Sequence, residues 1–435
     1  MLKKYFKILF ILGIVLVAGY QPEAVEKNIY LKEKLVPGNM RLTNDISEAP
    51  GFENFERVIR YFMRRWDIVG VSVAIARDDN LVYAKGFGLA DSTTKEMVQP
   101  YSRFRIASIS KLITSVAIMK LQEEGRLSVN DRVFGPDGIL NDPFYSNPKD
   151  KRVYNITVAH LLAHEGGWTT RFGDQMFMPF VVAKEMGVSV PVDTKTIVRF
   201  ALNKKLHFTP GTGRSYSNLG YAILGLVIEK VSGMPYSEYC RKNIFEPYGI
   251  YDMYFAKNLK SEKLPYEVSY YVPPDAIMKP SVYGTGELVS PAYGGNDIEA
   301  LGAAGAWVAT APDLLKFILH IDGFEERKDI LSYESIRFMT DERNKYAPVG
   351  WKATLSNGDW WRTGSFPGTV GMVKRQANGI SWVFLANTST WNGPEISTEI
   401  NKIMSRALSQ VKKWPERDLF NYYVEAPLSI DMTIQ

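Results

Sequence analysis

A serine and a lysine three residues apart, Ser108-Ile109-Ser110-Lys111, are the first residues in this chain whose types and spacing could do chemistry. A serine hydroxyl is a poor nucleophile until a neighbouring base takes its proton. On a helix, a three-residue step puts both side chains on one face, a turn apart. The spacing alone selects little, because the chain holds four Ser-x-x-Lys runs: Ser92/Lys95, Ser108/Lys111, Ser146/Lys149 and Ser409/Lys412. Their surroundings separate them. Ser92 lies in the turn-like Asp91-Ser92-Thr93-Thr94, Ser146 lies between Pro143 and Pro148, and Ser409 closes a helix. Only Ser108 opens one: Ile109, Leu112, Ile113, Val116 and Met119 form an apolar stripe that Gly125 stops. The free N–H groups and positive field at such a helix start would stabilise an oxyanion forming there. The competing reading is that Ser108 only caps the helix.

Two further runs carry titratable or charged groups. Tyr216-Ser217-Asn218 follows a Pro/Gly-rich loop (208–214) and precedes an apolar helix from Tyr221 to Val231. A phenol ordinarily ionises near pH 10. Two cations beside it would lower that value and let it share a proton with a serine. Arg362-Thr363-Gly364-Ser365 follows Trp360-Trp361 and immediately precedes a hairpin. That places it on an edge strand, where a glycine lets a ligand approach the backbone closely. Taken singly, these runs read equally well as a buried tyrosine with a satisfied hydroxyl and as a surface arginine beside a turn.

The elements that must position these residues can be read from periodicity. Phe52, Phe55, Val58, Ile59, Phe62, Met63 and Trp66 recur at helical spacing, with Gly70 as the stop. Val71–Ala76 and Leu81–Ala84 are β-rich runs around Asp78-Asp79-Asn80, a hairpin signal. The far end mirrors this: Val370–Arg375 and Ile380–Ala386 flank Asn378-Gly379. Pro394 then opens a helix with Ile396, Ile400, Ile403, Met404, Ala407, Leu408 and Val411 on one face. The economical arrangement is an α+β fold. Both end hairpins join one antiparallel sheet, flanked by the N- and C-terminal helices, with a mainly helical subdomain inserted between them. Residues 1–20 read as a signal peptide or N-terminal anchor, 21–50 as a linker, 51–412 as the functional domain and 413–435 as a loose tail.

Taken together, the three runs resemble the serine β-lactamase and penicillin-binding protein family, in its branch of class C β-lactamases, D-alanyl-D-alanine carboxypeptidases and related esterases. Ser-x-x-Lys, Tyr-x-Asn and a basic-Thr-Gly triplet occur in that family's order. The flanks are similar too, at Phe104–Lys111, at Ile156–Gly167 and from Leu219 through Gly225, Glu229 and Gly233. The similarity spans about residues 52–411. The resemblance implies a β-lactamase-like fold and a serine hydrolase without a cofactor. Ser108 would attack a carbonyl, while Tyr216 with Lys111 moves its proton to the leaving group. The Ser108 and Ser365 N–H groups would form the oxyanion hole, with Thr363 and Gly364 beside it. Asn218 would orient the acyl group, and Arg362 would supply positive field at the far wall. The family usually has Lys or His where this chain has Arg362. Arginine keeps its charge and can grip a carboxylate at two points, but it does not exchange protons. The implied partner is a small-molecule or peptide substrate: an ester, a D-amino-acid peptide such as a peptidoglycan stem, or a β-lactam. The alternative is a weakly catalytic member that binds peptidoglycan or serves as a scaffold. Gly135–Tyr154 and Thr169–Val192 are aromatic-containing loops expected near the cleft.

Composition bounds the remaining readings. The chain has 435 residues, 46% of them apolar and 23% charged, which is ordinary globular composition. Its net charge of +5 includes Lys3, Lys4 and Lys7 of the leader, so nucleic acid is not an expected partner. Those lysines precede an apolar run from Ile8 to Ala18, which implies an extracytoplasmic location, with membrane anchoring through residues 1–20 if the leader is retained. Tyr20 stands where a lipid-attachment cysteine would be needed. Cys240, the single cysteine, reads as a buried small hydrophobe. His160 and His164 are four apart, but Glu165 follows the second histidine rather than the first, so no zinc site is expected. Neither a Gly-x-Ser-x-Gly elbow nor a phosphate-binding glycine loop is present.

Overall fold

The apolar spacing at the two chain ends builds one layer of the core. The structure, a computed structural model, describes residues 41–423. Its N-terminal part contributes helix α1 (Glu53–Arg65) and strands β1 (Gly70–Arg77), β2 (Asn80–Asp91) and β3 (Glu96–Met97). The middle holds β4 (Arg103–Arg105), α2 (Ser110–Glu123), α3 (Asn218–Ser232), β5 (Met253–Phe255), β6 (Trp307–Thr310) and α4 (Ala311–Leu319), among further helices, helical turns and short strands. The C-terminal part adds β7 (Ala353–Thr354), β8 (Trp360–Phe366), β9 (Thr369–Arg375), β10 (Ile380–Ala386) and α5 (Ile396–Leu408).

The end hairpins meet in one antiparallel sheet of seven strands, ordered β3-β2-β1-β10-β9-β8-β7. Val73 of β1 pairs with Phe384 of β10, so the two ends of the chain meet in the middle of this sheet. Phe55, Ile59, Phe62 and Met63 of α1 join Ile396, Ile400, Met404 and Ala407 of α5 over one face. Helix α4 packs against the other face, on β1 and β10. Both faces being covered explains why β1 is buried at every residue from Gly70 to Ala76. Between the hairpins lies the helix-rich insertion, braced by a second sheet ordered β4-β6-β5. Helix α2 is buried on all sides from Ser110 to Met119 and is the axis of that insertion.

Residues 42–421 form one compact unit, wider than the expected 51–412 at both ends. The supposed tail is anchored over residues 413–421. Trp414 meets Phe52 edge-on, Arg417 donates to the Ser47 carbonyl (2.8 Å), and Leu419 and Phe420 are buried. The last part of the supposed linker is packed as well. Leu42 is buried, and Asn44 accepts from the Gly86 N–H (2.8 Å) while donating to the Val98 carbonyl (2.9 Å). Both segments combine a few isolated apolar contacts with side-chain-to-backbone hydrogen bonds, a mix that leaves no hydrophobic period. The leader, residues 21–40 and the end of the tail lie outside the described residues.

Two boundaries also differ. Helix α1 stops at Arg65, before Gly70: Asp67 takes φ +51° and the Ile68 N–H bonds the Met63 carbonyl (2.9 Å), a Schellman stop. Strand β2 runs to Asp91, well past Ala84. Its glycines mark close approach and do not break the strand, since a Cβ on Gly86 would sit 2.1 Å from the Val98 carbonyl oxygen.

Candidate active site

The three runs lie at the ends of elements that the fold packs together. Ser108 stands on a 3₁₀ turn (Ala107–Ile109) that leads into α2 at Ser110. It is not the helix cap; Ile109 holds that place without a side-chain capping bond. Ala107 takes φ +47°, a left-handed conformation that is costly for a non-glycine residue, immediately before the serine. Ser217 caps α3 by accepting from the Gly220 N–H (3.0 Å), which leaves Tyr216 just outside the helix and Asn218 as its first residue. Arg362 lies on β8. This strand is not the sheet edge, but β7 pairs only with Trp360 and Trp361, so among the described residues no strand covers β8 beyond them. The other three Ser-x-x-Lys runs fall where context placed them, on turns and just after α5.

The side chains converge. Ser108 Oγ is 2.6 Å from the Tyr216 hydroxyl and 3.3 Å from Lys111 Nζ. The fully buried Lys111 ammonium also donates to Asn218 Oδ1 (2.8 Å) and to the Ala304 carbonyl (2.6 Å). Three donors thus meet three acceptors, the arrangement of a charged ammonium. Burial nevertheless holds the Lys111 pKa below the ordinary lysine value, opposed by Tyr216 and aided by Arg362. Asn218 Nδ2 donates to Asp174 (2.7 Å), so both ends of its amide are engaged. Asn218 thus holds Lys111 and is itself held by Asp174, while still lining the cleft. Arg362 is likewise turned inward: Nε donates to the Ser108 carbonyl (2.9 Å) and Nη2 reaches the Tyr216 hydroxyl (3.4 Å). Two of its three nitrogens thus already bond the protein, while Arg362 still lines the cleft.

Tyr216 is 42% exposed, its ring forming part of the cleft wall while its hydroxyl points in among Lys111, Arg362 and Ser108. Desolvation pushes the phenol up, but the charges of Lys111 and Arg362, with hydrogen bonds from Lys111 and Ser108, outweigh it. The net result is a pKa of about 8. At this short separation, a phenolate accepting from the serine hydroxyl is a base already in line with its substrate proton.

The cleft above these groups encloses about 580 Å³. Its walls are mostly apolar, with Phe177, Phe366, Leu301 and Trp351 facing in. No carboxylate is among the described residues that line it, whereas Arg214 and Lys352 are. Thr363 and Ser365 line it from β8. Of the two loops expected near the cleft, 169–192 contributes Phe177 to the lining and 135–154 contributes nothing. The sequence assigned no site role to His164, Asp174, Phe177 or Trp351; of these, only Trp351 lies outside the segments singled out there. His160 and His164 do not share a helix face, because that helix ends at Leu162 and His164 takes φ +62°. Among the described residues no cluster could hold a metal ion, and no helix is long and apolar enough to cross a membrane.

Known proteins share the family and the fold of this chain. The family model described as Beta-lactamase matches residues 55–403. Protein flp of Staphylococcus aureus (strain N315) is 28% identical over 208 residues, 48% of this chain and 38% of that protein. Penicillin-binding protein 4* of Bacillus subtilis (strain 168) is 31% identical over 204 residues, 46% of this chain and 41% of the relative. The match therefore spans about two fifths of the length of these curated relatives. The octameric penicillin-binding protein homologue from Pyrococcus abyssi superposes with a TM-score of 0.62 at 28% identity, covering 85% of this chain and 79% of that one. With a β-lactamase-like fold and a family match over most of its length, this chain belongs to the β-lactamase family, in the serine hydrolase superfamily that includes the penicillin-binding proteins.

Proposed function

We propose that the protein is an active serine hydrolase that works through an acyl-enzyme on Ser108. The observation that carries this reading is the Ser108–Tyr216–Lys111 contact set, with a phenol lowered to about 8 set 2.6 Å from the hydroxyl. Ser108 Oγ bonds to the substrate carbonyl carbon as its proton passes to Tyr216. The carbonyl oxygen becomes an oxyanion, held by the Ser108 and Ser365 N–H groups. Collapse breaks the bond to the leaving group, which takes the proton from Tyr216. Water then attacks the ester, Tyr216 accepts its proton, and the acid product leaves as Ser108 is reprotonated.

The cleft's apolar walls, with cations and no carboxylate among the described lining residues, support an apolar acyl donor without a free ammonium, such as an ester or an N-acylated D-amino-acid amide. The basic, then apolar run at residues 1–20 supports an extracytoplasmic location, which cell fractionation checks.

The test is covalent. The protein is treated with a fluorophosphonate, p-nitrophenyl esters, N-acetyl-D-phenylalanine p-nitroanilide and nitrocefin. Adducts are mapped by peptide mass spectrometry. A single adduct on the peptide containing Ser108 is expected, together with turnover of at least the esters. A folded protein that forms no adduct with any reagent would remove the acyl-enzyme reading and leave a binding or scaffold role.

The pH profile follows from the same geometry. Tyr216 must be deprotonated to act as the base, so kcat/KM should rise about tenfold per pH unit below 8 and level off above it. Loss of the Lys111 charge should turn the profile down below the ordinary lysine range. Tyr216→Phe should abolish the rising limb; a rising limb that persists in this variant would assign it to another group.

A further inference from the structure

We infer that His164 is a positioning residue that clamps Tyr216 at its working distance from Ser108; the inference rests on the acyl-enzyme reading above. Two hydrogen bonds define the clamp. The Ser215 N–H donates to the His164 carbonyl (2.9 Å), and the Ser217 N–H donates to His164 Nδ1 (3.2 Å). One residue thus holds the backbone on both sides of Tyr216. The imidazole also lies against the ring it positions, with centroids 4.7 Å apart, and on its other contact meets Tyr221 at 5.0 Å. Tyr221 is in turn fixed by its hydroxyl, which donates to the Leu162 carbonyl (2.9 Å).

Reaching both N–H groups requires an unusual backbone. His164 takes φ +62°, a region that His, Asn and Asp enter more readily than other non-glycine residues. Because Nδ1 accepts, the ring proton sits on Nε2 and the imidazole must be neutral. Its surroundings enforce this. Burial holds the imidazole pKa well below its ordinary value, and the charges of Arg362 on β8, Lys111 on α2 and Arg214 on the loop before Tyr216 act in the same direction. The adjoining Glu165 carboxylate is paired with Arg214 (3.2 Å), while Tyr216 and Tyr221 face the ring itself. A protonated imidazole would lose the acceptor for Ser217 and add a further cation beside the phenol.

Two substitutions separate the clamp from general packing. His164→Asn keeps a short acceptor near the Nδ1 position and tolerates positive φ. His164→Gly tolerates the backbone but has no acceptor. H164G should lower kcat about 100-fold, since small misplacements of a reacting group cost that much, with KM changed less than threefold. H164N should stay within about fivefold of the parent on the same scale.

A second readout needs no turnover: the Tyr216 phenol is titrated by NMR of ¹³C-tyrosine-labelled protein, its resonance assigned with Tyr216→Phe. It should titrate near 8 in the parent and in H164N, and move towards the ordinary phenol value in H164G as the ring drifts from its two cations. The clamp is overturned by an H164G protein with unchanged kcat or an unshifted phenol. It is also overturned by a folded H164N that is impaired as severely as H164G. Fluorophosphonate labelling of the parent reports separately on the acyl-enzyme reading. Without that label the reading fails, while the phenol titration still decides whether His164 sets the tyrosine.

Discussion

Replacing Lys111 with methionine should reduce kcat/KM for ester substrates by about 10⁴-fold while leaving the protein folded, with a melting temperature within a few degrees of the parent. The activity loss has two sources. The ammonium donates to Ser108 Oγ at 3.3 Å, and its charge is the largest influence lowering the Tyr216 phenol against the cost of burial. Without it only Arg362 and the Ser108 hydrogen bond oppose that burial, so the phenol moves up from about 8 and less phenolate exists at any working pH. Loss of a positioned proton-transfer group costs roughly 10²–10⁴-fold, and the two effects act on the same step. Stability should respond weakly because the terms oppose. Exchanging a buried charge for an apolar group of similar length is often neutral or stabilising. Against this, the Ala304 carbonyl and Asn218 Oδ1 lose their donor, at about 1–2 kcal/mol for a buried acceptor left unmade. Steady-state kinetics with the esters and a thermal melt check both halves. Activity within tenfold of the parent would show that Tyr216 works without its cation; a collapsed melt would make Lys111 a structural residue first.

How far the site could be read from the sequence differs from residue to residue, for physical reasons. The identities of Ser108, Lys111, Tyr216 and Arg362 were legible because their chemistry depends on residue type and order. The sheet was legible because the apolar periods at the two ends match and both hairpins carry their turn residues. The helical stripe after Ser108 was legible as a helix, yet not as one buried on every side, because burial is a property of the neighbours. The directions of Asn218 and Arg362 were not legible at all. They depend on Asp174 and on the Ser108 carbonyl, whose positions are fixed by packing between segments 44 and 254 residues apart in the chain. His164 fell in a segment the resemblance had marked, but its conformation and its two backbone partners exist only once the Tyr216 loop is folded against it. Residues 413–421 looked featureless because a few isolated apolar contacts and polar contacts to backbone atoms leave no period to read.

Gly364→Ala should be the most damaging single-methyl change on the cleft side of the sheet. A Cβ at this position would lie 2.1 Å from the Ile106 carbonyl oxygen and 3.1 Å from the Ser108 nitrogen. Both are backbone atoms of the nucleophile's own turn, so no side-chain rotation can relieve the contact. The strand cannot retreat freely either, because Gly364 pairs with Gly371 of β9, where a Cβ would itself meet Leu385 and Ile109. Separating β8 from the turn would move Ser365 away from Ser108 and open the oxyanion hole proposed between their N–H groups. Overpacking of this kind typically costs about 1–3 kcal/mol in stability, and a lost oxyanion donor costs roughly 10²–10³ in kcat. Gly125 provides the contrast. It ends α2 at φ +66°, and a methyl added there would meet nothing within 4 Å among the described residues, so Gly125→Ala should cost about 1 kcal/mol through backbone strain and leave kcat unchanged. Melting curves and ester kinetics on the two variants separate contact from conformation. If Gly364→Ala keeps both stability and kcat, the close approach of β8 to Ser108 is not what assembles the site. If Gly125→Ala loses kcat to the same degree, catalysis follows global stability rather than the spacing between this strand and the serine.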